Sequence, residues 1–203
     1  MHKKYYKNPK LIIITLFLLI VLLILFTVLR NPEDTLKMIY RFTGLCAYVF
    51  IFFVIVSSEY ISKMKLLLGS SFIKVHHFLA RAGIMLMLVH PIAFAIEKKD
   101  LMVFLPVLYP PIRFLELAGR PALYLFAVAA IVAVYRKKFI ANWKKVHYLN
   151  YLAFIMVTVH AMLIGTDINS AVSKVTVTFM SLIVAGIFFH KRLTSKRKVV
   201  KYK

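Results

Sequence analysis

Five of the seven histidines fall in two long apolar stretches, where an ionisable side chain is costly and calls for a reason. His76 and His90 are 14 residues apart in the first stretch, and His147 and His160 are 13 residues apart in the second. On a helix these spacings correspond to about 21 Å and about 20 Å along the axis. Two such helices that run in the same direction would place their histidines at two matched heights.

Matched heights would bring His76 opposite His147 and His90 opposite His160, so that each level offers two neutral imidazoles. Iron in a haem accepts two axial imidazoles. The pattern therefore predicts two b-type haems stacked across a membrane, with the purpose of passing electrons through a medium where free charge is expensive. We predict no catalytic side chain, because the redox chemistry would belong to the cofactor.

Taken one at a time, the same histidines have simpler interpretations. His76, His77 and His147 would lie near a membrane boundary, where a basic side chain is ordinary. His90 and His160 would lie deeper, where each could hydrogen-bond a neighbouring helix. It is the joint spacing of the two pairs that favours ligands.

One geometric point opposes the ligand interpretation. At 100° per residue, 14 residues return to within about 40° of the starting face of a helix, whereas 13 residues end about 140° away. The helix of His147 and His160 should therefore contain a tightened turn or a bend, or its two haems should meet different sides of it. His77 also stands 13 residues before His90, and it is kept as the second choice to His76.

Arg81 is the other costly residue in these stretches, five positions after His76. An arginine can pair with a carboxylate through two parallel hydrogen bonds, so Arg81 is a candidate partner for a haem propionate. It could equally be a snorkelling arginine that reaches the lipid headgroups. Both interpretations stay open.

The elements that must position these residues are membrane helices. The chain is 62% hydrophobic with a mean hydropathy of +0.81, which is more apolar surface than one soluble core of 203 residues hides. The apolar runs are continuous rather than alternating, which indicates helices rather than a barrel. We predict an all-α, integral membrane bundle that forms a single domain over residues 1–203. Its six transmembrane helices are expected at residues 11–29, 42–58, 76–96, 120–135, 147–165 and 171–189.

The charged residues behind the net charge of +21 are distributed as the positive-inside rule predicts for a membrane protein. With both termini in the cytosol, the inner segments hold 19 basic residues and one acid, whereas the outer side holds eight basic residues and six acids. The basic charge is thus a topology and lipid-headgroup feature rather than a nucleic-acid site. We expect a multi-pass protein of the cell membrane, most simply a bacterial cytoplasmic membrane.

Three stretches resemble the ferric reductase-like transmembrane family. This family includes the membrane part of NADPH oxidases, ferric-chelate reductases and the haem-binding membrane subunit of the periplasmic methionine sulfoxide reductase system. Residues 76–81 and 88–91 (HHFLAR and LVHP) resemble its third helix, H-R-x-L-G-R followed by L-H-P. Residues 143–149 and 159–161 (WKKVHYL and VHA) resemble its fifth helix, and residues 164–167 (IGTD) resemble its G-[ST]-D turn.

The resemblance covers about residues 40–190 and implies that His76, His90, His147 and His160 are haem ligands. Ala80 stands where the family commonly has glycine, and His77 where it commonly has arginine. The flavin and nicotinamide domains of the oxidases are not found in this sequence. The expected electron donor is therefore a separate flavoprotein or a membrane quinol, and the expected acceptor is ferric iron, oxygen, a quinone or a partner protein outside.

Two other functions compete with an oxidoreductase component. A transporter with a histidine proton relay should have acidic partners inside the spans, and the six predicted spans contain no Asp or Glu. A non-redox membrane scaffold should have histidines without matched heights.

Overall fold

The computed structural model describes residues 9–69, 72–138 and 143–201, and in these ranges the secondary structure is helical, without strands. The predicted all-α class is confirmed. Residues 1–8 of the predicted N-terminal cytosolic segment lie outside the described residues, as do residues 202 and 203 of the predicted cytosolic C-terminus. The helices are α1 (Pro9–Arg30), α2 (Thr35–Glu59), α3 (Ile61–Leu68), α4 (Phe72–Lys98), α5 (Pro111–Glu116), α6 (Gly119–Val134), α7 (Trp143–His147), α8 (Leu149–Ile164) and α9 (Ala171–Lys201).

Each of the six predicted spans overlaps an apolar helix, and the fifth, 147–165, covers the last residue of α7 and all of α8. Among the described residues, four helical stretches are long and apolar enough to cross a membrane: Thr35–Glu59, Phe72–Lys98, Trp143–Ile164 and Ala171–Arg192. Two shorter apolar helices, Thr15–Arg30 and Gly119–Val134, accompany them. These lengths and compositions indicate a membrane protein, while the number of crossings and the side of the termini stay predictions.

The chain divides into two compact units, residues 1–90 and 91–203, with the boundary inside α4. Whether they form one ferric reductase-like domain stays a prediction. In the first unit, α1 packs on α2 and α3. The ring of Phe17 lies 4.7 Å from that of Phe50 between centroids, and Arg41 is buried with its Nη1 donating to the carbonyl of Asn31 at 2.7 Å. That bond ties the beginning of α2 to the end of α1.

The second unit is built on the packing of α6 against α8. Ala122, Ala129 and Ala153 are completely buried, and small side chains of this kind let two membrane helices approach closely. Phe154 is also fully buried. The helix α9 packs on α8, and the guanidinium of Arg192 lies 3.9 Å from the ring centroid of Tyr148, a cation–π contact.

The connecting segment, residues 99–118, joins α4 to α6. It begins with a 3-10 turn, Leu101–Phe104, and continues through a cis peptide bond at Tyr109–Pro110 into the short helix α5. Several of its large apolar side chains are exposed, among them Leu101, Leu108 and Ile112. The helix α5 packs on α8, so the end of this segment meets the helix that carries His160.

Candidate functional site

His90 is held against α2 within the first unit. Its Nδ1 lies 2.7 Å from the backbone carbonyl oxygen of Tyr40, and its ring meets the Tyr40 ring edge-on at 6.1 Å. One turn further along α2, Gly44 allows the imidazole to lie directly on the helix backbone. A Cβ at Gly44 would stand only 2.7 Å from Nδ1 of His90.

His160 is held in the same manner within the second unit, by different elements. Its Nδ1 lies 2.7 Å from the carbonyl oxygen of Glu116 at the end of α5. The ring of His160 packs against Gly119, three residues after Glu116. A Cβ at that glycine would stand 3.1 Å from Cδ2 and 3.2 Å from Nε2 of the imidazole.

These two contacts define the tautomer of each imidazole. A carbonyl oxygen only accepts hydrogen bonds, so Nδ1 must carry the hydrogen in both His90 and His160. In the neutral ring the lone pair then belongs to Nε2. Histidines that bind metals commonly donate their other ring N–H to a carbonyl or carboxylate, which orients the ring and strengthens the ligand. The arrangement therefore suits each of the two histidines to present Nε2 to a metal.

His147 is held more loosely at the end of α7. Its Nδ1 lies 3.3 Å from the carbonyl oxygen of Ala129, and the amide nitrogen of Asn150 lies 3.3 Å from Nδ1 and 3.4 Å from Nε2. These distances are at the long end for hydrogen bonds. Trp143 packs near the ring, at 6.0 Å between centroids.

The helical ladder is interrupted directly after His147. Tyr148 separates α7 from α8, and its N–H is shared between the carbonyls of Lys144 and Lys145 at 3.1 and 3.2 Å. The N–H of Tyr151 then donates to the carbonyl of Tyr148, three residues earlier, at 3.1 Å. Bonds of this kind wind a helix more tightly. The expected tightened turn between His147 and His160 is confirmed.

His76, His77 and Arg81 lie in the first half of α4. The ring of His76 is near those of Phe72 and His77, at 6.2 and 5.8 Å between centroids. His77 is exposed, and its carbonyl accepts a hydrogen bond from Nε of Arg81 at 3.3 Å. The Arg81 side chain thus points back toward the beginning of α4, which is the direction expected of a snorkelling arginine.

The predicted ligands are divided between the two compact units. His76 and His90 belong to the first and His147 and His160 to the second, so the pairing across helices stays a prediction. In the described ranges no group of three or more His, Cys, Asp or Glu side chains could hold a metal ion. A haem asks for one or two axial side chains rather than such a group.

The residues that orient the histidines were not identified from the sequence. Tyr40 and Glu116 contribute only their backbone carbonyls, which every residue has. Gly44 and Gly119 were open to prediction, because glycine is uncommon in this chain and a glycine in an apolar helix often marks a close approach.

Comparison with protein-family models, with curated proteins and with solved structures found no match to this chain. The resemblance to the ferric reductase-like transmembrane family therefore stays an expectation from the sequence motifs.

Proposed function

We propose that this chain is a transmembrane electron-transfer protein that binds haem b through histidines on α4 and on α7–α8. It would pass electrons from a cytosolic flavoprotein or a membrane quinol to an acceptor on the outer side of the membrane. It would act as the electron-transfer component of a ferric reductase-like oxidoreductase, with six crossings and both termini in the cytosol.

The observation that carries this proposal is the paired environment of His90 and His160. In two separate units, a deep histidine donates Nδ1–H to a backbone carbonyl at 2.7 Å and lies on a glycine. A histidine that only joined two helices would need the hydrogen bond but not the glycine. The glycine brings the ring close to the backbone, and the carbonyl leaves the lone pair on Nε2.

The donor set fits a haem. Haem would supply a one-electron redox centre, and the chain would supply its axial ligands and a dry surrounding. His90 and His160 would ligate through Nε2, and His76 and His147 are the expected ligands at the other level. His77 is the substitute for His76, and Arg81 stays a candidate partner for a propionate.

A visible spectrum of the purified chain tests the proposal. We expect a low-spin b-type spectrum after reduction with dithionite, and a haem content that falls by about half in His90→Ala and in His160→Ala. His190→Ala is the matched control, because it removes an exposed histidine of α9 that belongs to neither predicted ligand pair. A colourless protein, or full haem content in both histidine variants, would refute the proposed ligands.

A proton-relay transporter and a non-redox scaffold are the alternatives. A relay asks for acidic partners along the path. The groups that orient His90 and His160 are backbone carbonyls, which neither take up nor release protons. This difference favours ligation over a relay, and the same spectrum separates the alternatives.

A further inference from the structure

The connecting segment is attached to the beginning of α6 by two side chains. Nη1 of Arg120 donates to the carbonyls of Met102 at 2.9 Å and Leu105 at 3.0 Å. The hydroxyl of Tyr124 donates to the carbonyl of Phe104 at 2.8 Å. Three hydrogen bonds thus hold residues 102–105 on the first two turns of α6.

The backbone of Arg120 takes part in a second arrangement, the break between α5 and α6. In a continuous α-helix its N–H would donate to the carbonyl of Glu116, four residues earlier. It donates instead to the carbonyl of Leu117, three residues earlier, at 2.9 Å. The shift leaves the Glu116 carbonyl directed at α8, where it accepts from Nδ1 of His160 at 2.7 Å.

We propose that Arg120 is a positioning residue for His160, because its side chain anchors the connecting segment and its backbone forms the break that presents the Glu116 carbonyl. Without the guanidinium, residues 102–105 lose two of their three bonds to α6. The segment that leads into α5 and α6 is then held less firmly, and the Glu116 carbonyl accepts from the His160 ring for a smaller fraction of the time. The inference rests on the proposed function only for the ligand role of His160.

The test measures the tautomer of His160 in the full chain without haem, by nitrogen NMR of protein labelled with ¹⁵N-histidine. In a neutral imidazole the two ring nitrogens differ in shift according to which of them carries the hydrogen. A His160→Asn variant assigns the signal. We expect wild-type His160 to carry its hydrogen on Nδ1. In Arg120→Met we expect the population of the tautomer with the hydrogen on Nε2 to rise about threefold to tenfold, which corresponds to the free energy of one hydrogen bond.

Two controls separate positioning from a general loss of structure. Lys174→Met removes an exposed cation from the same unit and should leave the His160 signal unchanged. His90 has its own carbonyl in the other unit, so its signal serves as an internal reference. Arg120→Lys keeps a cationic nitrogen that can donate to these carbonyls, and it should shift the tautomer less than Arg120→Met does.

If Arg120→Met fails to fold, the two single variants Arg120→Lys and Tyr124→Phe provide the test, because each disturbs only part of the hydrogen bonding between residues 102–105 and α6. An unchanged His160 tautomer in the folded variants would overturn the proposal, as would an equal shift in Lys174→Met. A chain that binds no haem yet shows the shift would refute the proposed function and leave the positioning role intact.

Discussion

Alanine in place of Gly44 would put a methyl carbon where the imidazole of His90 now lies. The new Cβ would stand 2.7 Å from Nδ1, 3.0 Å from Cε1 and 3.4 Å from Cγ of that ring. Non-bonded heavy atoms settle at about 3.5 Å or more, so the ring must move by several tenths of an ångström. A movement of that size breaks or bends the 2.7 Å hydrogen bond to the carbonyl of Tyr40.

The free energy of unfolding of Gly44→Ala should fall by about 0.5–4 kcal/mol. Overpacking of this kind costs about 1–3 kcal/mol, and a lost hydrogen bond adds about 0.5–1.5 kcal/mol. The better helix propensity of alanine returns about 0.5–1 kcal/mol. At Gly119 the nearest ring atom would be 3.1 Å away, so the loss should be smaller. At Gly186 a Cβ meets nothing within 4 Å, so alanine there should be slightly stabilising.

Unfolding in detergent micelles, followed by circular dichroism, ranks the alanine variants at Gly44, Gly119 and Gly186 by stability. The ¹⁵N-histidine spectra report the His90 tautomer. Gly186→Ala is the matched control, because it makes the same change in a helix without a facing ring. If Gly44→Ala is as stable as Gly186→Ala and His90 keeps its tautomer, the glycine is not a seat for the ring and the argument for a shaped ligand site is refuted.

Three further outcomes follow from the contacts. Phe154→Ala should cost about 3 kcal/mol of unfolding free energy, because the ring is fully buried, whereas Leu152→Ala at an exposed position should cost almost nothing in the same denaturation assay. Arg41→Met should speed amide hydrogen exchange in the α1–α2 turn about threefold to tenfold, because its bond to the Asn31 carbonyl is lost, and Arg41→Lys should do so less; equal exchange in all three proteins would contradict this. Replacing Arg136, Lys137 and Lys138, the basic residues between α6 and α7, with glutamine should slow haem reduction by an acidic flavoprotein and weaken the salt dependence of the reduction rate in stopped-flow measurements. Identical, salt-independent rates in wild type and variant would favour a quinol donor.

The helices were predictable from the sequence because their cause is local. Long apolar runs determine where a chain can cross lipid, and each predicted span is matched by an apolar helix. The tightened turn after His147 was one of the alternatives that the 13-residue spacing to His160 predicts, because that spacing is out of phase with a regular helix if both histidines are ligands. The break between α5 and α6 was not expected, because no spacing argument crosses it.

Hydropathy and histidine spacing alone thus determined the all-helical class, the apolar helices and the four candidate ligands. Only the tertiary structure decided what holds His90 and His160, namely the carbonyls of Tyr40 and Glu116 and the glycines beside them. The physical reason is that every residue carries a backbone carbonyl. Which carbonyl meets a histidine depends on the helix packed opposite it, 50 positions away for His90 and 44 for His160, and no pattern along a single helix encodes that choice.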